Sequence, residues 1–108
     1  MKRTKRRYLA VKIECKVVPS EREAIDAVWT SVTKLFGEVV ASLTGLTLIN
    51  YDQEKSVMVI RTSLATLSAL RAALAAITSV ANVEAAMHVF AVSGTLKSLF
   101  SRSYFDIM

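Results

Sequence analysis

The spacing of apolar residues changes period several times along this chain, and each change marks an element. From Tyr8 to Val18 the alternation is strict: Leu9, Val11, Ile13, Cys15 and Val17 fall on one side, and Tyr8, Ala10, Lys12, Glu14 and Lys16 on the other. A period of two is that of a strand with one buried face. Pro19 ends it. Ser20 and Glu23 then have the spacing of a capping box, in which each side chain satisfies a backbone donor at a helix start. The helix this predicts carries Ile25, Val28, Trp29, Val32, Leu35 and Phe36 as one apolar stripe. Gly37, following Lys34 in the last turn, is a stop or a kink. The stretch from Glu38 to Gly45 reads ambiguously, as a further helical turn and a loop.

Leu46 to Tyr51 and Val57 to Thr62 read as two strands joined through the polar turn Asp52, Gln53, Glu54 and Lys55, which makes a hairpin. Ser63 is placed to cap a second helix, with Leu64, Leu67, Leu70, Leu74 and Ile77 on one face and alanines crowding the others, ending at Asn82. Glu84 to Val92 reads as a fourth strand. After Gly94 a short terminal helix runs over Thr95 to Tyr104, with Leu96, Leu99 and Phe100 on one side. The order strand, helix, strand, strand, helix, strand predicts an α+β fold. Its most economical form is a ferredoxin-like (RRM-like) βαββαβ sandwich, with a four-stranded antiparallel sheet, two helices on one face and a short C-terminal helix. The third and fourth strands, carrying Val57 to Ile60 and Met87, Val89, Phe90 and Val92, are apolar on both sides, so both faces call for a cover.

Charge adds what the pattern does not. Of the 14 basic residues, Lys2, Arg3, Lys5, Arg6 and Arg7 lie in the first seven positions, and the nine that remain balance nine acidic residues. The division expected is a flexible basic arm over 1–7, which holds the whole net charge of +5, and a formally neutral single domain over 8–108. At 108 residues and 53% hydrophobic, with three Gly and one Pro, the chain has the composition of a folded domain. A basic arm in front of a neutral body favours contact with a polyanion over a merely solubilising tail. It carries no apolar residue to insert into a membrane, and no uncharged stretch reaches the ~20 residues of a bilayer span. A single cysteine and no secretion signal point to the cytoplasm.

Candidate chemistry is sparse. One Cys and one His, far apart in sequence, make no metal site. Cys15 and His88 are on strands expected to be neighbours, but the alternation puts Cys15 on the core side, and both read as structural. Glu21, Glu23 and Asp26 sit in the first turn of a helix, where the helix dipole accounts for them. Gly37, Gly45 and Gly94 are isolated and form no phosphate loop. The third strand, Ser56 to Arg61, offers no aromatic platform for stacking bases, so RNA contact is expected through Lys and Arg on phosphate. No catalytic residue is assigned.

Arg6-Arg7-Tyr8-Leu9 at the first strand, together with Val92-Ser93-Gly94-Thr95-Leu96-Lys97 after the last, resembles the ribonuclease P protein component 2 family. That small subunit is shared by archaeal ribonuclease P and the eukaryotic ribonuclease P and MRP particles. Ala24-Ile25 through Trp29, Leu48-Ile49 with Asp52, Ile60-Arg61, Leu70-Arg71 and Ala73-Leu74 agree in order, so the resemblance runs from Arg6 to about Lys97. It departs at the C-terminus, where Ser98, Ser101 and Ser103 stand among Lys97 and Arg102 in place of a more basic helix. The archaeal, compact form of the family fits better.

The resemblance implies a ribonucleoprotein endonuclease, a hydrolase that processes precursor tRNA to its mature 5′ end. The catalytic work there is done by the RNA subunit with bound Mg2+, and the protein binds no cofactor. Expected partners are ribonuclease P RNA, precursor tRNA, the other ribonuclease P proteins and, in a 2:2 heterotetramer, ribonuclease P protein component 3. The residues expected to meet RNA are Lys2, Arg3, Lys5, Arg6, Arg7, Tyr8, Arg61, Arg71, Lys97 and Arg102. The rival reading is a homodimeric ferredoxin-like domain for ligand sensing or protein interaction, which explains an apolar sheet face but not the arm.

Overall fold

The computed structural model describes residues 5–100, the last by its backbone alone. Strand β1 spans Arg6–Cys15, helix α1 Glu21–Leu43, strand β2 Thr47–Asp52 and strand β3 Val57–Ser63. A single 3-10 turn at Leu64–Thr66 leads into helix α2, Leu67–Ala76. Strands β4, Ser79–Val80, and β5, Val83–Ser93, and helix α3, Leu96–Phe100, complete the order. Among the described residues the sheet is antiparallel and has five strands, in the order β2-β3-β1-β5-β4.

The expected count of four strands is thus corrected to five. The segment read as the end of the second helix turns back instead: α2 stops at Ala76, and Ser79 and Val80 pair with Glu84 and Val83 across a tight turn. Ala81 and Asn82 take the left-handed conformation there, with φ of 51° and 66°. Asn tolerates that conformation. Alanine run and leucine spacing favour a helix locally, and the hairpin outweighs them by burying Ile77 and Val80 in the main core.

β1 begins at Arg6, which pairs with Ser63, so Arg6 and Arg7 belong to the sheet and not to an arm. It also ends earlier than the alternation suggests, at Cys15, and Val17 is left exposed. Central pairing on both sides gives β1 its burial: Leu9, Ala10 and Val11 are all fully buried, with a register shift between Ala10 and Val11 opposite β5.

The capping box forms as its spacing predicts. The Glu23 amide donates to Ser20 Oγ at 3.2 Å, and the Ser20 amide to Glu23 Oε1 at 2.8 Å. Ala24, Val28 and Val32 then make the buried line of α1. Trp29, Leu35 and Phe36, expected in that stripe, are exposed instead. Gly37 kinks the helix with φ 88° and ψ 168°, and the ambiguous stretch continues as helix to Leu43. Trp29, Leu35 and Phe36 lie before the kink: the buried line Ala24, Val28, Val32 recurs every four residues, is narrower than the expected stripe, and leaves its flanks to solvent. Ser63 precedes the 3-10 turn but its hydroxyl does not cap it. Leu64, expected on the buried face of the second helix, is exposed.

Two cores result. The main one joins α1 and α2 to Leu9, Val11, Ile13, Met58, Ile60 and Met87. The smaller lies on the other sheet face, where the fully buried Leu99 of α3 packs on Ala10, Val59 and Ala91, with Tyr8, Ile49, Phe90 and Leu96 around them. The terminal helix is therefore the cover that apolar strands on both faces require.

Candidate nucleic-acid interface

Antiparallel register decides which of the expected RNA-contacting residues meet. Tyr8 is opposite Arg61 on one side and Ser93 on the other, and Arg61 is opposite Thr47. One row across the sheet thus reads Thr47, Arg61, Tyr8, Ser93, on the face that α3 partly covers. Arg61 Nη2 donates to Thr47 Oγ1 at 3.3 Å, which orients the guanidinium toward the β2 edge. Arg6, two residues before Tyr8, is exposed at the same end of β1.

Arg7 is half-buried and donates from Nη1 to the Arg6 carbonyl at 2.9 Å. Its guanidinium lies beside Gly94, where a Cβ would stand 3.5 Å from Nη1. The two motifs at the ends of the recognised pattern, Arg6 to Leu9 and Val92 to Lys97, are therefore adjacent in space. Lys5 is exposed, and its carbonyl accepts from the Leu64 amide at 2.8 Å. Lys97 is exposed on α3, and Arg71 is exposed on α2 in the layer packed on the opposite sheet face, so Arg71 does not join this end. Lys2, Arg3 and Arg102 lie outside the described residues.

Arg6 and Arg61 also line one cleft of about 550 Å³ with Trp29, Leu43, Gly45 and Thr47. Hydroxyl groups on its lining and beside it bond to backbone carbonyls. Thr62 Oγ1 donates to the Thr44 carbonyl at 3.1 Å, Ser63 Oγ to the Leu43 carbonyl at 3.1 Å, and Thr66 Oγ1 to the Ser63 carbonyl at 3.3 Å. The Ser63 amide donates to the same Thr44 carbonyl at 2.8 Å. These buried polar groups are satisfied by one another, and they lock the end of α1 to the end of β3. Nothing in the periodicity announces them. The available signal is Trp29, a large aromatic in a helix whose buried positions, Ala24, Val28, Val32 and Ala41, are all smaller.

The Cys15 and His88 pairing fails on topology. Cys15 is opposite Ala85 and His88 opposite Lys12, on strands where alternate residues face opposite ways, so the thiol and the imidazole lie on opposite faces of the sheet. Cys15 packs against the main core. His88 is exposed, not buried, and its Nε2 lies 3.5 Å from Glu14 Oε2. Among the described residues no three His, Cys, Asp or Glu side chains converge on a metal site, and no helix is long and apolar enough to cross a membrane.

Fold and site together define a class: a small α+β domain that gathers cations at one end of an antiparallel sheet and, among its described residues, brings no nucleophile and base together. The chain belongs to the Rpp14/Pop5 family, whose model matches residues 7–104. It is 32% identical over 95 residues to ribonuclease P protein component 2 of Methanosarcina mazei, covering 88% of this chain and 80% of that protein. The protein of the same name from Methanosarcina barkeri is 28% identical over 95 residues, covering 88% and 69%. A chain of the yeast ribonuclease MRP structure, determined by cryo-EM, has the same fold at a TM-score of 0.71 and 10% identity, covering 99% of this chain and 97% of that one. The family match does not favour the rival reading as a ligand-sensing homodimer.

Proposed function

We propose that this chain is a protein subunit of a ribonuclease P ribonucleoprotein and supports an RNA that cleaves precursor tRNA at the mature 5′ end. The single observation that carries the reading is the family match over residues 7–104. The gathering of Arg6, Arg7 and Arg61 around the two ends of the recognised pattern supports an RNA-facing role for that end. In this reading catalysis belongs to the RNA and its Mg2+, the protein binds no cofactor, and the particle works in the cytoplasm as an endonuclease of the hydrolase class. The β2-β3-β1-β5 order of the long strands supports a ferredoxin-like sandwich to which the β4 hairpin is an addition.

The mechanism is charge neutralisation. RNA strands folded into an active core repel one another, and Lys and Arg placed between their phosphates lower the concentration of Mg2+ needed for the same fold. Protein component 3, in a 2:2 heterotetramer, is the partner this reading assigns. The exposed Leu35, Phe36 and Val39 around the kink of α1 form an apolar surface suited to a protein partner.

The test is reconstitution of the particle from its RNA and proteins with this chain present or omitted, read as precursor tRNA cleavage against Mg2+ concentration. Omission is expected to raise the Mg2+ requirement, and digestion of the RNA to abolish cleavage. Cleavage that survives complete RNA removal would overturn the reading.

A further inference from the structure

The cleft under the kinked helix holds more than positive charge. None of its lining residues is a carboxylate. The hydroxyl groups of Ser42, Thr44, Thr62 and Ser63 already donate to backbone carbonyls, and Thr47 Oγ1 donates to the Gly45 carbonyl while accepting from Arg61. The side-chain donors left over are the indole N–H of Trp29 and the two guanidinium groups. Arg61 makes one hydrogen bond and Arg6 no side-chain hydrogen bond or ion pair among the described residues. A guanidinium carries five N–H groups in a planar fork that matches two oxygens of one anion. Two such forks without a neighbouring carboxylate favour a phosphate.

Trp29 lines the same cleft and is 44% exposed although the residue is large and apolar. An exposed aromatic ring beside phosphate-binding cations is the pairing by which proteins hold an unstacked base. The volume of about 550 Å³ lies within the range of small-molecule sites, roughly 300–1,000 Å³. We propose that this cleft binds one nucleotide of single-stranded RNA, with its phosphate on Arg6 and Arg61 and its base stacked on Trp29. The proposal rests on the ribonucleoprotein reading above and gives it a defined site on the protein. Because stacking accepts any base, the site recognises an unpaired nucleotide and not a sequence, and a base held in a duplex cannot enter it.

Trp29 is the single tryptophan of the chain, so its fluorescence reports the site directly. The probes for titration of the full chain are hexauridylate, an RNA duplex of equal strand length, inorganic phosphate and hexaglutamate. Hexauridylate is expected to quench Trp29, and the duplex and hexaglutamate to leave it unchanged. The Arg6→Gln, Arg61→Gln double variant is expected to lose tenfold or more in affinity, with inorganic phosphate competing weakly against the parent protein. Trp29→Leu, followed by oligonucleotide anisotropy, is expected to lose about tenfold. Unaltered circular dichroism and urea midpoints identify variants that remain folded, and Arg61→Lys serves in place of any that does not.

Equal quenching by duplex and single strand, quenching by hexaglutamate, or unaltered affinity in the folded variants overturns the proposal. The same preparations, assembled into the particle and assayed for precursor tRNA cleavage, separate the two levels of inference. If the parent chain stimulates cleavage while the variants bind RNA unchanged, the cleft assignment falls and the subunit role stands. If the parent chain does not stimulate cleavage, both fall.

Discussion

The Tyr51 hydroxyl donates to the Pro19 carbonyl at 2.5 Å, joining the end of β2 to the loop that opens α1. Burial raises the pKa of this phenol above its ordinary value of 10.0, and negative charge at Cys15 and Glu23 adds in the same direction. The folded state therefore holds the proton more tightly than the unfolded chain. Its contribution to stability is complete below pH 10 and is lost as pH rises through the raised value. Tyr51→Phe is expected to lose about 1 kcal/mol at neutral pH. It should also show a shallower fall of the urea midpoint on the alkaline side than the parent, with Trp29 fluorescence as the probe. Parallel alkaline limbs in the two proteins would contradict this.

Gly37 has φ 88° and ψ 168°, a region that side chains with a Cβ essentially do not enter. An added Cβ would meet no atom within 4 Å, so backbone strain alone sets the cost. Gly37→Ala is expected to destabilise by roughly 1–3 kcal/mol in urea unfolding. Gly94→Ala, whose new methyl would make an ordinary 3.5 Å contact with the Arg7 guanidinium, is expected to change stability by less than about 0.5 kcal/mol.

Separation of Cys15 and His88 on opposite sheet faces predicts that the two do not act as a catalytic pair. Cys15→Ser and His88→Ala, each in the reconstituted particle, should leave kcat for precursor tRNA cleavage within about twofold of the parent, since a lost catalytic group typically costs a hundredfold or more. The exposed Glu14 and His88 contact should contribute less than about 1 kcal/mol to stability, measurable in a double-mutant cycle.

Five cations at the N-terminal end, if each engages one phosphate, give RNA affinity a slope of about −3.5 to −4.5 against the logarithm of salt concentration. Because Arg6 and Arg7 are fixed in β1, they are expected to retain their share of that slope when residues 1–5 are removed. Filter binding of the parent and the shortened chain across a salt series measures the difference. Identical slopes would exclude Lys2, Arg3 and Lys5 from the contact.

What could be read ahead of the structure followed from local rules. Strict alternation located β1, the capping box located the start of α1, and polar turn residues located the β2 and β3 hairpin, because each is set by neighbours a few positions apart. The Ser79 and Val80 strand was hidden by the alanine run before it, since its existence depends on pairing with β5 and on core space for Ile77 and Val80. Exposure of Trp29 was hidden too. An apolar stripe shows which side of a helix is buried but not how wide the covered strip is, and here only the line Ala24, Val28 and Val32 is covered in full.

By itself the sequence determined that this chain is an α+β domain with its net charge concentrated at the N-terminus, and its two terminal motifs were sufficient to place it near its family. Composition, period and short spacings are properties of neighbouring residues, so they survive without a fold. Tertiary structure alone decided that Arg6 and Arg61 share a cleft with Trp29, that Arg71 lies elsewhere, and that Cys15 and His88 never meet. Those relationships depend on strand register and helix direction, which arise when segments tens of residues apart compete for the same buried surface.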